Sequence, residues 1–160
     1  MTAPVAETTA TRTLGGKYLT FVLANEEYAF EILTVHEIIG IMAVTPVPHS
    51  HPVIRGVVNL RGKVIPIVDL RRRFGMTPPP EGETPETCII VLNVRNLLVG
   101  IAVDAVSEVR MINEAEIEPP PAFGSDVDTS CLLGVANSES KVRMLLDAEK
   151  VLALDVIASL

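Results

Sequence analysis

The sequence predicts an all-β protein built as two small barrels with a few short helices, and three observations lead there. Hydrophobic residues make up 48% of the 160 residues but aromatics only 4%, with no Trp, so the core is aliphatic and rich in Val, Ile and Leu. β-Branched residues in many short runs favour strands over long helices. Those runs pair around turn-prone tips at four places along the chain. Two Pro-rich breaks, 77–87 and 119–125, leave about five short strands and a small helix in each half. Such sets are too narrow for a flat sheet covered on both faces and are more stable curled, which also hides their edges.

The elements follow in order. Residues 1–16 are rich in Thr and Ala and lack a signal peptide's apolar stretch, which reads as a disordered tail ahead of one domain over 17–160, with two sub-barrels meeting near 77–87. Tyr18 to Leu23 and Tyr28 to Ile32 flank Ala24-Asn25-Glu26-Glu27 as a first hairpin. Val35, Ile38 and Ile39 have helical spacing with Gly40 as a stop, which puts His36 on the solvated face. Met42 to Val47 reads as a short strand ended by Pro46 and Pro48. Val57 to Leu60 and Val64 to Val68 flank an Arg61-Gly62 tip. Asp69 is then a good N-cap for a short helix over Leu70 to Phe74, closed by Gly75, with Phe74 turned to the core. Cys88 to Val94 and Leu97 to Val103 flank Arg95-Asn96 as a third hairpin; Cys131 to Ala136 and Val142 to Leu146 flank Asn137 to Lys141 as a fourth. A last helix, from an Asp147 cap through Leu154, packs across a barrel end. No repeat of 20–50 residues of the solenoid kind is present.

The chemistry that enzymes need is missing from this pattern. There is no Gly-x-Ser-x-Gly elbow, Walker phosphate loop or Gly-x-Gly-x-x-Gly turn. His49 and His51, two apart in a Pro-bounded loop, have no third ligand nearby, so no metal and no cofactor are expected. Acidic pairs such as Glu26-Glu27 fall in loops, and Asp104, after an apolar strand, reads as a hydrogen-bonded carboxylate without a catalytic partner. Cys88 and Cys131 read as buried free thiols of a reducing cytoplasm in preference to a disulfide. No run approaches the ~18 apolar residues of a membrane span.

Charge points to contact instead. The formal net charge is -7, yet Arg55, Arg61, Lys63, Arg71, Arg72 and Arg73 cluster with Asp69 as the one anion among them. A basic strip on an acidic body fits an acidic docking partner, although Arg71 to Arg73 equally fit a solvated helix face. Nucleic acid is disfavoured, because the strip carries only Phe74 for stacking and the acidic remainder repels a polyanion. A small-ligand enzyme on barrels and a nucleic-acid binder stay as the alternatives to an interaction protein.

Read together, Lys17 to Leu23, Tyr28 to Ile39, Ile54 to Gly62, Val64 to Arg71, Val99 to Val109 and Arg143 to Asp147 resemble the CheW family of bacterial chemotaxis coupling proteins over about residues 17–155. The run Asn59-Leu60-Arg61-Gly62 with Pro66-Ile67-Val68-Asp69-Leu70, followed at a distance by Val103-Asp104-Ala105-Val106-Ser107, is the specific part. The resemblance implies two intertwined five-stranded SH3-like β-barrels. It implies a non-enzymatic cytoplasmic adaptor, held at the inner face of the membrane through receptor arrays, whose partners are the cytoplasmic tip of methyl-accepting chemoreceptors and the regulatory domain of the histidine kinase CheA. A coupler of another receptor–kinase pathway, such as gliding or twitching motility, is the alternative. Carried over by motif, Val35, Glu37, Gly56, Asn59, Arg61, Gly62 and Val99 would lie at or near a receptor-binding groove between the barrels, and Phe123 at a kinase or array contact. The sequence departs from the family at Glu118, just before Pro119, where relatives often carry a basic residue.

Overall fold

A computed structural model describes residues 13–80, 82–120 and 131–152. Its elements are β1 (Gly16–Leu23), β2 (Glu26–Glu31), β3 (Val35–Gly40), β4 (Ile54–Leu60), β5 (Lys63–Val68), α1 (Leu70–Arg73), β6 (Cys88–Val94), β7 (Leu97–Val103), β8 (Ala105–Ile112), β9 (Ile117–Glu118), β10 (Leu132–Ser138), β11 (Lys141–Leu146) and α2 (Ala148–Leu152). Barrel 1 is a sheet in the order β8-β1-β2-β11-β10-β9, and barrel 2 a sheet in the order β3-β6-β7-β5-β4.

All four hairpins form, and each turns on two residues with positive φ: Ala24-Asn25, Arg61-Gly62, Arg95-Asn96 and Glu139-Ser140. The first and fourth tips are therefore shorter than the sequence suggested, because the strands zip to the last pairs, Leu23 with Glu26 and Ser138 with Lys141. A two-residue tip with positive φ matches the twist of its strands, so pairing continues to the turn.

The helix expected at Val35 to Gly40 is strand β3. Its exposure alternates residue by residue along the strand, and it pairs with β6 from Val35 opposite Leu92 to Gly40 opposite Cys88. His36 is the bulged residue of that pairing rather than one side of a helix. Met42 to Val47 is not a full strand either. Only Thr45 bridges Val57, with reciprocal N–H to carbonyl bonds of 2.9 Å. Asp69 caps α1 as expected, accepting the Arg72 N–H at 3.1 Å, and Asp147 caps α2 through Glu149 and Lys150. The α2 residues expected beyond Leu152 lie outside the described residues, as does most of the expected tail.

Three apolar clusters hold the molecule together. Val58, Leu60, Ile65, Ile67, Ile89 and Val91 fill barrel 2, and Tyr18, Ala29, Ile112, Ala136 and Leu145 fill barrel 1. The largest lies between the barrels, where Phe21 stacks on Tyr28 and Phe30, and Tyr28 on Phe74. β1 and β6 are buried on both faces, with alternate residues feeding a barrel interior and the shared core, so they read as continuous apolar runs.

Strand pairing shows an internal duplication whose period is longer than the roughly 20–50 residues of solenoid repeats. Gly56-Val57-Val58-Asn59, Lys63-Val64 and Asp69 recur as Gly134-Val135-Ala136-Asn137, Lys141-Val142 and Asp147. Each hairpin has the same bulge: Arg55 is skipped between Ile54 and Gly56, and Leu133 between Leu132 and Gly134. Val35-His36-Glu37-Ile38 likewise recurs as Val106-Ser107-Glu108-Val109, with His36 and Ser107 the skipped residues of their ladders. Residues 16–74 and 88–152 are thus two copies of one unit. They exchange hairpins: β1–β2 of the first copy lies parallel to β11 of the second, and β6–β7 of the second lies parallel to β5 of the first. The stretch 77–87 consequently does not separate the barrels. It joins β5 and α1 to β6 within the pathway of barrel 2.

Candidate functional site

The candidate site is the mouth of barrel 2, where β3 and the β4–β5 tip meet. The Asn59 side-chain oxygen accepts the Gly62 N–H at 2.8 Å and Gly62 takes φ 88°, with open space beside it. Together they hold Arg61 at the apex, where 67% of its side chain is exposed. Arg61 Nη2 donates to Glu37 Oε1 across the mouth, and His36 Nε2 lies 3.5 Å from the same oxygen. The Arg61 hydrogen bond holds the Glu37 carboxyl below its ordinary range, and Glu37 in turn raises Arg61. Lys63 and Val64, both exposed, follow on the same hairpin. An ion pair this open to solvent contributes little to stability. It leaves donors and acceptors available to a partner surface.

Other predicted residues are placed differently. Gly56 is buried, and an added Cβ there would come within 2.3 Å of the Thr45 carbonyl oxygen. Its small size allows the Thr45 to Val57 bridge that closes the barrel. It supports the site from within the barrel wall. Val99 is fully buried in the shared core and offers no contact surface. Val35 is half-buried against the same core. The exposed apolar surface comes instead from Leu33, Ile38, Val64 and Leu97, which composition and motif did not single out. Phe123 lies outside the described residues.

Most of the basic strip is engaged internally. Arg71 binds Asp104 at 2.8 Å and the Thr77 carbonyl at 2.9 Å. Arg72 donates to the Pro52 carbonyl, and Arg73 to the carbonyls of Val151 and Lys150. Asp104, read from sequence as a hydrogen-bonded carboxylate, also accepts the Ala24 N–H at 2.9 Å, tying the β1–β2 tip to α1. Arg71 and Arg73 are therefore not a solvated face, whereas Arg72 keeps 59% of its side chain exposed. Arg61, Lys63 and Arg72 are the outward cations of the cluster, beside Arg55, paired with Glu83.

A cavity of about 350 Å³ under the 77–87 loop is lined by Arg55, Arg71, Met76, Glu83 and Asp104, whose charges are matched in pairs. Among the described residues no three His, Cys, Asp or Glu side chains are grouped to hold a metal ion. No described helix is long and apolar enough to cross a membrane. Burial raises the Cys88 thiol, and both cysteines are free thiols.

Comparison with known proteins agrees with this architecture. Residues 17–156 match the family model for the CheW-like domain. The chain is 39% identical to the chemotaxis protein CheW of Klebsiella aerogenes, covering 93% of this chain and 89% of that one. It is 37% identical to the CheW of Rhizobium meliloti, covering 86% and 87%. The crystal structure of the scaffolding protein TtCheW from Thermoanaerobacter tengcongensis superposes with a TM-score of 0.78 at 34% identity, over 88% of this chain and 90% of that one.

Proposed function

Because the chain belongs to the CheW-like domain family, whose members are non-catalytic chemotaxis scaffolds, we propose that it couples the cytoplasmic tip of a chemoreceptor to the regulatory domain of the histidine kinase CheA. The observation that carries this reading is the Glu37–Arg61 pair, set across the mouth of barrel 2 by a hairpin tip whose geometry Asn59 and Gly62 fix. A receptor helix hairpin offers polar side chains that can exchange into such a pair, while Ile38 and Val64 give apolar contact beside it. Holding receptor and kinase with separate faces raises the effective concentration of each for the other, so individually modest contacts suffice in an array.

The test is a reconstitution of kinase, receptor fragment and this protein, with kinase output as the readout. The full chain should confer receptor control on the kinase. Arg61→Ala and Glu37→Ala should each weaken receptor binding about tenfold, the scale of one charge-assisted contact, with the melting temperature unchanged because neither side chain is in the core. Kinase control that survives both substitutions in full would refute the assignment of this site.

A further inference from the structure

The duplication places a second, altered copy of this mouth on barrel 1. Matching the two units puts Glu108 at the position of Glu37, Val142 at that of Val64 and Glu139 at that of Arg61. The tip therefore carries the opposite sign. Arg110 stands where barrel 2 has Ile39. It donates to Glu108 at 3.1 Å and to Glu139 at 2.5 Å. Lys141, the counterpart of the free Lys63, is drawn onto Glu27 at 2.9 Å. The result is a mouth of the same backbone shape that presents Glu139, with 72% of its side chain exposed, where barrel 2 presents Arg61.

We propose that the sign of this one tip residue determines which mouth the receptor-type partner takes. Arg61 admits a partner that is acidic at the contact, and Glu139 excludes it from the twin mouth. This rests on the reading of barrel 2 as the receptor site, and it adds the partner's polarity and a repulsive element that keeps one coupler to one hairpin. Two hairpin tips with the same register and bulge on one molecule offer the partner two similar docking geometries. Discrimination between them requires an unfavourable contact at one, not only a favourable contact at the other. A like charge facing the partner supplies it.

The test counts receptor hairpins per chain, using a soluble chemoreceptor hairpin fragment as the probe in titration calorimetry on the full-length protein. The native chain should bind about one hairpin, and Arg61→Glu should lower affinity by at least about tenfold. Glu139→Arg with Arg110→Ile restores the barrel 2 pattern on barrel 1 and should raise the stoichiometry to about two. Adding Arg61→Glu to that pair should return it to one, now crosslinked through Val142→Cys on barrel 1. If the multiple variant fails to fold, Glu139→Arg alone changes a largely exposed side chain, giving up only its Arg110 contact, and still decides. A second, weaker hairpin supports the proposal, and continued binding of one overturns it. A native chain that binds no hairpin would instead refute the receptor-site reading. Native binding that is indifferent to Arg61→Glu would overturn this inference and leave receptor binding itself standing.

Discussion

Gly56 shows how a single residue acts at a distance from the surface it serves. Its φ of 148° is rare for side chains with a Cβ, and the Thr45 carbonyl occupies the space a methyl group would need. Gly56→Ala should therefore cost about 2–4 kcal/mol, from backbone strain and from loss of the Thr45 to Val57 bridge. A urea titration measures this directly. Receptor binding per folded molecule should change little, since Gly56 is buried. A large binding defect with unchanged stability would show that Gly56 is a contact residue after all. The exposed members of the site behave the other way. Arg61 could be placed at a tip from the sequence because a tip motif is local, whereas Glu37 and Asn59 came only with the family resemblance. Val99 and Gly56 were not separable from them, because burial depends on what folds over a residue and not on its neighbours in the chain.

Elements tell the same story at a larger scale. The four hairpins could be read because short apolar runs on either side of a polar, turn-prone tip have few other solutions, although the Glu139-Ser140 tip carries neither Asn nor Gly. β3 was misread because Val35, Ile38 and Ile39 satisfy a helical spacing, while in the strand the apolar Ile38 falls on the exposed side and Glu37 on the half-buried side, so hydrophobicity does not follow the alternation. β11 carries a different surprise. Arg143 is 4% exposed and sits where barrel 2 has Ile65. Its Nε donates to Glu27 at 2.8 Å while Nη1 has no hydrogen-bond partner. The Lys141 hydrogen bond, with the nearby Arg143 guanidinium, holds the Glu27 carboxyl below its ordinary 4.5 against the opposing effect of its own burial. A depressed carboxylate stabilises the fold above the unfolded value and loses that stabilisation as pH falls through the folded one. Glu27→Ala should cost about 2–3 kcal/mol at pH 7 because it strands a buried guanidinium, a cost softened by the pair's partial exposure. Glu27→Leu with Arg143→Ile copies the apolar pattern of barrel 2. It should be neutral or stabilising by about 1–2 kcal/mol, and should lose part of the native chain's destabilisation below pH 4.5. Thermal melts from pH 7 to pH 3 would show both effects. A double variant less stable than Glu27→Ala would mean the charges are needed for the barrel's shape.

At the scale of the whole molecule, the exchange of hairpins makes the two units interdependent. This is the feature least visible in the sequence, because the parallel pairs Leu145 with Ala29 and Ile67 with Gly100 join residues far apart in the chain. Local patterns located the strands, while only the pairing assigned them to barrels. The consequence is physical. Residues 16–74 alone lack the β6–β7 hairpin that completes barrel 2, and residues 88–152 alone lack the β1–β2 hairpin that completes barrel 1. Each piece would also leave the shared core of Phe21, Phe30, Leu92 and Ile101 open to water. Cutting the exposed 77–87 loop at an inserted protease site should therefore leave both pieces associated, eluting at the size of the intact chain. Its thermal midpoint should become concentration-dependent, because loop closure has become association. Separated in denaturant, neither piece should regain strand signal by circular dichroism until mixed with the other, and mixing should restore receptor binding together with the fold. Pieces that refold alone into stable barrels would show that each unit can retain its own hairpin. The exchanged pairing would then be a preference of the joined chain and not a requirement of its parts.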